Sequence, residues 1–209
     1  NCAVPLTTHP DIDRIAFTGG AETAKQIIIN SAENFAVTTL ELGGKSPIIV
    51  FEDADIESAV NGIIAGNYGA SGQSCVAGSR VIVQESIKKD VIARLTEKTQ
   101  NIKVGSPTDP KTHVGPLCTE KQIILIEDAL KKAKLQGGKI HFGGKRKEGE
   151  GYYFEPTLVD CPNNSIATLE IEMFGPVMSM LSFENEEEAI DLANNSQYGL
   201  GSGVFTNNL

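Results

Sequence analysis

Short apolar runs rich in branched residues alternate along this chain with longer stretches whose apolar positions recur every three or four residues. The first pattern predicts strands and the second predicts helices. "RIAFTG" reads as a strand ending in glycine, and "AETAKQIIINSAEN" as a helix with Ala24, Ile27 and Ile28 on one face. "VTTLEL" is a second strand, broken by Gly43 and Gly44, and "SPIIVF" is a third whose unbroken apolar run predicts burial on both faces. "DADIESAVNGIIAGNYG" follows as a helix with an acidic first turn, which suits the positive end of the helix dipole.

"SRVIVQ" is a strand, and "SIKKDVIARLTEKTQNI" is a helix with Ile87, Val91, Ile92 and Leu95 at helical spacing and Ser86 as its cap. A proline- and glycine-rich connection, "GSPTDPKTHVGPLCTE", leads to the amphipathic helix "EKQIILIEDALKKAKLQGG", closed by glycine. "KIHFGG" predicts a short strand, residues 143–152 a polar loop, "YYFEPTLVD" and "PVMSMLSF" two strands, "NEEEAIDLANNS" a helix and "GSGVFT" a last strand. The alternation predicts an α/β fold with a largely parallel, twisted sheet flanked by helices. There is no internal repeat and no low-complexity tract.

Between a helix and a strand lies "YGASGQSCVAGSR", in which Cys75 sits among small residues with glycines at 69, 72 and 78. So many glycines disfavour a regular helix and allow backbone to approach a ligand closely. A reactive thiol and a buried or incidental one both fit these residues.

Composition narrows the partners. With 209 residues, 40% hydrophobic and 22% charged, the chain has enough apolar material for a packed core. A net charge of -9 argues against a nucleic-acid backbone, which is bound by clustered Lys and Arg, and the short run "GGKRKEG" reads as one solvated loop. No apolar stretch has the length of a membrane span, and the start, "NCAVPLTTHPDIDR", carries no signal-peptide pattern. The start without methionine and the stop after an apparent strand lead us to expect a fragment of a longer protein.

Cysteines at 2, 75, 118 and 161 form no CxxC pair, and His9, His113 and His141 show no ligand spacing, so no metal site is expected. A cytoplasmic protein with free thiols is the expectation, with Cys2, Cys118 and Cys161 as reduced spectators.

Five stretches then carry more than spacing. "FTGG" at 17–20, "LELGGKSP" at 40–47, "GQSC" at 72–75, "EMFGPV" at 172–177 and "YGLGSGVFT" at 198–206 occur in this order. Together they resemble the NAD(P)-dependent aldehyde dehydrogenase superfamily across essentially the whole chain. The resemblance implies a catalytic-domain fold of that type. Residues 1–44 would be the C-terminal part of the dinucleotide-binding domain, and residues 45–209 the nucleophile-bearing α/β domain.

The resemblance also implies roles. Cys75 would be the nucleophile, its own amide sharing an oxyanion with an asparagine from an upstream segment. Glu41 would be the general base that activates water, helped by partial burial between Leu40 and Leu42 that raises its pKa. Glu172 would accept hydrogen bonds from the ribose beside the nicotinamide, Phe174 would pack near that ribose, and Leu42 would touch the nicotinamide. Gly19 and Gly20 would offer backbone to the cofactor pyrophosphate, although many relatives carry serine at the position of Gly20. Lys45 reads as a structural partner after the double glycine.

The implied activity is oxidation of a small-molecule aldehyde to its acid with NAD or NADP, in a homodimer or homotetramer. Two alternatives remain open: a coenzyme A-acylating enzyme, against which Glu41 argues, and a non-catalytic fragment or structural paralogue.

Overall fold

A computed structural model describes residues 2–208 of the chain. Two compact units divide it, Asn1–Gly43 and Gly44–Leu209.

The first unit runs α1 (Ala3–Thr8), β1 (Arg14–Thr18), α2 (Ala21–Ser31) and β2 (Val37–Glu41). β1 and β2 pair in parallel from Arg14 opposite Val37 to Thr18 opposite Glu41. The short helix α1 was not expected; Thr7 buries its side chain and its hydroxyl donates to the Ala3 carbonyl. In α2 the predicted face is narrower than the spacing suggested. Ala24 and Ile27 are buried, whereas Ile28 is 49% exposed, because within this unit the sheet offers two strands to pack on.

The second unit runs β3 (Pro47–Val50), α3 (Ile56–Tyr68), β4 (Arg80–Gln84), α4 (Lys88–Thr99), α5 (Glu120–Leu135), β5 (Lys139–Phe142), β6 (Thr157–Asp160), α6 (Ala167–Glu170), β7 (Val177–Phe183), α7 (Glu186–Asn194) and β8 (Gly203–Phe205). Its six strands stand in the order β5-β6-β7-β4-β3-β8, and every pairing is parallel except that of edge strand β5 with β6. A largely parallel sheet flanked by helices is therefore present as expected.

β3 is buried at all four positions, as its unbroken apolar run implied. On one face of the sheet Val50, Val81, Val83, Met178 and Met180 pack with Val60 and Ile63 of α3 and Leu95 of α4. Elsewhere Val159, Val177 and Leu181 pack with Ile123, Ile126 and Leu130 of α5. Each such aliphatic side chain, fully buried, contributes roughly 2 kcal/mol.

Local signals explain most boundaries. Asp55 caps α3 by accepting from the Ser58 amide at 2.8 Å. α5 ends where Gly137 takes φ +93° and the Gly138 amide returns to the Ala133 carbonyl at 2.8 Å. Three expectations need correction. Ser86 is no cap: it lies in a 3-10 turn and its hydroxyl donates to Glu52. The strand in "YYFEPTLVD" covers Thr157–Asp160, since Tyr153 and Glu155 instead bond the backbone of Lys147 and Lys145. The four-residue helix α6 went unforeseen, being too short to show a period. Among the described residues no helix is long and apolar enough to cross a membrane.

Candidate active site

Parallel strands all begin at the same edge of a sheet, so the loops that precede neighbouring strands meet there. The motif around Lys45 precedes β3, the cysteine loop precedes β4, "EMFGPV" precedes β7 and "YGLGSG" precedes β8, and these four strands are adjacent. The sheet order thus brings four of the five sequence motifs to one edge.

The cysteine loop leaves α3 through three successive left-handed residues, Ala70 (φ 49°), Ser71 (φ 59°) and Gly72 (φ 74°). Two of them are not glycine, a strained arrangement that persists where surrounding contacts fix it. Ser71 supplies one such contact: its hydroxyl donates to the Gly115 carbonyl at 3.1 Å and accepts from the Gly115 amide at 3.0 Å. Gln73 supplies another, accepting from the Cys118 amide at 2.9 Å. Residues 115–118 therefore staple the loop.

Cys75 follows in a turn closed by the Ala77 amide on the Ser74 carbonyl at 3.1 Å. It is half-buried, and its thiol is free. Its amide donates to no protein acceptor among the described residues. Val76 beside it is 56% exposed.

Close backbone contacts bind this turn to the neighbouring loops. A Cβ added to Gly44 would stand 2.6 Å from the Cys75 carbonyl oxygen, and one added to Gly72 would stand 2.1 Å from that of Gly175. The second contact carries Glu172 and Phe174 to the cysteine loop. Glu172 accepts from the Gly44 amide at 3.1 Å. Phe174 has φ 49° and is 37% exposed, and Gln122 donates to its carbonyl. A small cavity between the loops is lined by Gly44, Lys45, Gly72, Ser74, Glu172 and Phe174.

Beneath it Lys45 is 2% exposed, and its ammonium donates to the Thr168 carbonyl at 2.9 Å. Burial, then the charge of Arg80, pushes its pKa down to about 7, against opposing pulls from Glu172 and Cys161. Arg80 gives its guanidinium to the carbonyls of Lys45, Leu192 and Ala193, tying β4 to the end of α7. Burial pushes the Cys161 thiol up to about 11, which makes it inert. A cleft of about 600 Å³ lies away from the cysteine, beside Arg80, Asn164, Glu170, Asn195 and Gln197.

The remaining predicted residues belong to the first unit. Gly20 precedes α2 with extended backbone, and no atom lies within 4 Å of where its Cβ would stand. Gly19 differs from expectation: its amide is committed to the Glu41 carbonyl at 3.0 Å, so the open donors belong to the start of α2. Glu41 is exposed, in the outward phase of the alternating strand β2, and the partial burial expected of it is absent. Leu42, next in the chain, is half-buried. Among the described residues no group of three potential metal ligands occurs.

Sequence reasoning missed Ser71, Gln73 and Gly175, whose partners lie some 40 to 100 residues away and leave no local pattern.

Comparison with known proteins extends this picture. The aldehyde dehydrogenase family model matches residues 1–209. A (Z)-2-((N-methylformamido)methylene)-5-hydroxybutyrolactone dehydrogenase of Acinetobacter baylyi is 53% identical over 209 residues, covering 100% of this chain and 43% of the relative. A chloroplastic betaine aldehyde dehydrogenase of Atriplex hortensis is 41% identical, covering 100% of this chain and 42% of the relative. Among solved structures, the NAD+ complex of a Bacillus cereus aldehyde dehydrogenase superposes with TM-score 0.96 at 40% identity, over 100% of this chain and 43% of that one. The Staphylococcus aureus betaine aldehyde dehydrogenase in complex with NAD+ gives 0.94 at 41%, over 99% of this chain and 42% of that one. The chain spans less than half the length of these relatives, and it belongs to the aldehyde dehydrogenase family.

Proposed function

We propose that the protein containing this chain oxidises an aldehyde to a carboxylic acid with NAD or NADP, through a covalent thioester on Cys75. The cysteine turn carries this reading: a half-buried thiol with an unclaimed amide, on a stapled loop beside Glu172 and Phe174. The relatives solved with NAD+ support the cofactor. In this reading the first unit is the end of a dinucleotide-binding domain and the second carries the nucleophile.

The residues present fit such a cofactor. The start of α2 has open amides and, at Gly20, open space, which suits a pyrophosphate. Glu172 offers a carboxylate for ribose hydroxyls, and Phe174, itself 37% exposed, an aromatic ring. When bound, the nicotinamide supplies the hydride acceptor.

The chain supplies the rest. The Cys75 thiolate attacks the carbonyl carbon, forming a C–S bond and sending an electron pair to oxygen. The Cys75 amide donates to that oxyanion. Once the carbonyl is restored as a thioester, Glu41 takes a proton from water as the water attacks the acyl carbon. The C–S bond breaks, the thiolate returns and the acid leaves. Transfer to coenzyme A has no need of such a base, so Glu41 favours hydrolysis.

The name of the Acinetobacter baylyi relative suggests one substrate class. A 5-hydroxybutyrolactone is the ring-closed form of an aldehyde acid, and such compounds belong in the panel beside open aldehydes. The test uses the full-length protein, both cofactors, and product analysis with and without coenzyme A. Cys75→Ala abolishes oxidation. Glu41→Gln gives a burst of reduced cofactor equal to the active sites and then stalls. Steady turnover of Glu41→Gln removes that residue from its role, and oxidation by Cys75→Ala ends the thioester reading.

A further inference from the structure

Lysine is rarely buried without a partner, yet Lys45 is 2% exposed and its ammonium has an assigned place. The ammonium donates to the Thr168 carbonyl at 2.9 Å. Thr168 belongs to α6, which ends two residues before Glu172. The amide of the preceding residue, Gly44, meanwhile donates to Glu172 Oε1 at 3.1 Å. Two consecutive residues therefore hold one segment at both ends, by its backbone at the start and by its carboxylate further on. The lysine backbone is fixed in turn, since Arg80 Nε donates to its carbonyl at 2.6 Å. Lys45, Glu172 and Phe174 also line the same cavity.

We infer that Lys45 is a positioning residue for the cofactor: its ammonium holds residues 168–174 so that Glu172 presents its carboxylate to the ribose. This rests on the cofactor role given to Glu172 above. Three groups bear on the charge of Lys45. Arg80 of β4 opposes it, while Glu172, after α6, and Cys161, after β6, favour it. With burial, these set its titration near neutrality, where the cationic and neutral forms coexist. A cation holds both the carbonyl and the nearby carboxylate more strongly than a neutral amine does. Cofactor affinity thus weakens as pH rises through neutrality.

The experiment is calorimetric titration of NAD+ into the full-length protein from pH 6 to 9, for wild type, Lys45→Met, Glu172→Gln and the double variant. Wild-type affinity falls with rising pH. Lys45→Met binds NAD+ about tenfold more weakly at pH 6, the scale of one hydrogen bond to a charged group, and shows no transition. In the Glu172→Gln background the second substitution costs less than about twofold, since the two act through one contact. Additive losses, or unchanged affinity in Lys45→Met beside a loss in Glu172→Gln, overturn the inference alone. Unchanged affinity in Glu172→Gln overturns the reading of Glu172 itself. Should Lys45→Met fail to fold, the wild-type profile decides, and a flat profile refutes the inference.

Discussion

Replacing Gly72 with alanine tests how tightly the site is built. At φ 74° an alanine is strained by roughly 1–2 kcal/mol. Its methyl would also stand 2.1 Å from the Gly175 oxygen, 2.2 Å from the Gly175 carbon and 2.7 Å from the Pro176 nitrogen. Ordinary contact begins at 3.4 Å, so the two backbones must separate by more than an ångström. Retreat is hindered, because Gly175 is backed by Ile126 of α5, only 2.5 Å from where its own Cβ would stand. Overpacking of this kind adds roughly 1–3 kcal/mol, and the total is about 2–5 kcal/mol. Gly175→Ala is the control. It displaces the far end of one flexible side chain and costs less, about 1–2 kcal/mol. Urea denaturation of the full-length protein gives the ranking, and the iodoacetamide reaction of Cys75 reports whether the turn has moved. Equal stability of Gly72→Ala and wild type, or greater damage from Gly175→Ala, refutes the reasoning.

Other expectations follow from single contacts. Ser71→Ala strands both the amide and the carbonyl of Gly115, and destabilises by about 2–3 kcal/mol in the same denaturation assay. Gly20→Ser places a preferred capping hydroxyl at α2, adds a few tenths of a kcal/mol, and tightens NAD+ binding measured by calorimetry. Because the Lys45 pKa falls to about 7 on folding, the unfolded chain binds more protons between that pH and 10.5, and stability from this group rises with pH across the window. The stability of wild type relative to Lys45→Met, measured by urea denaturation, accordingly rises from pH 6 to pH 9, since methionine carries no proton to lose. Mass spectrometry after native alkylation finds Cys161 unmodified while Cys2, Cys75 and Cys118 react, and urea exposes Cys161.

The strands of the parallel sheet were legible because burial on both faces leaves unbroken apolar runs, as in β3 and β4. The order of those strands was not legible, and order is what gathers the motifs at one edge. β5 turns antiparallel and α6 exists through tertiary contacts, which short segments do not announce. The motifs singled out Cys75, Glu172 and Phe174, and the structure gathers these three around one set of loops. The residues that hold them were hidden. Ser71 looks like an ordinary loop serine until Gly115 is beside it, and Lys45, read as a structural partner, has that partner in the distant Thr168 carbonyl of α6, which no local pattern names. Glu41 misled in the other direction: leucines on either side suggested burial, but strand alternation turns the carboxylate outward.

The pairing of β8 with β3 joins Ile48 to Gly203 and Val50 to Phe205, and the Phe205 ring sits against Gly62 on α3. On a ribosome, β3 emerges long before its outer neighbour. At a rate of about 5–20 residues per second, the interval is on the order of 10–30 seconds. Throughout that wait the nascent chain holds an apolar strand with at least one unpaired edge, open to any passing strand. Chaperone demand during synthesis should therefore drop once β8 is made and docks on β3.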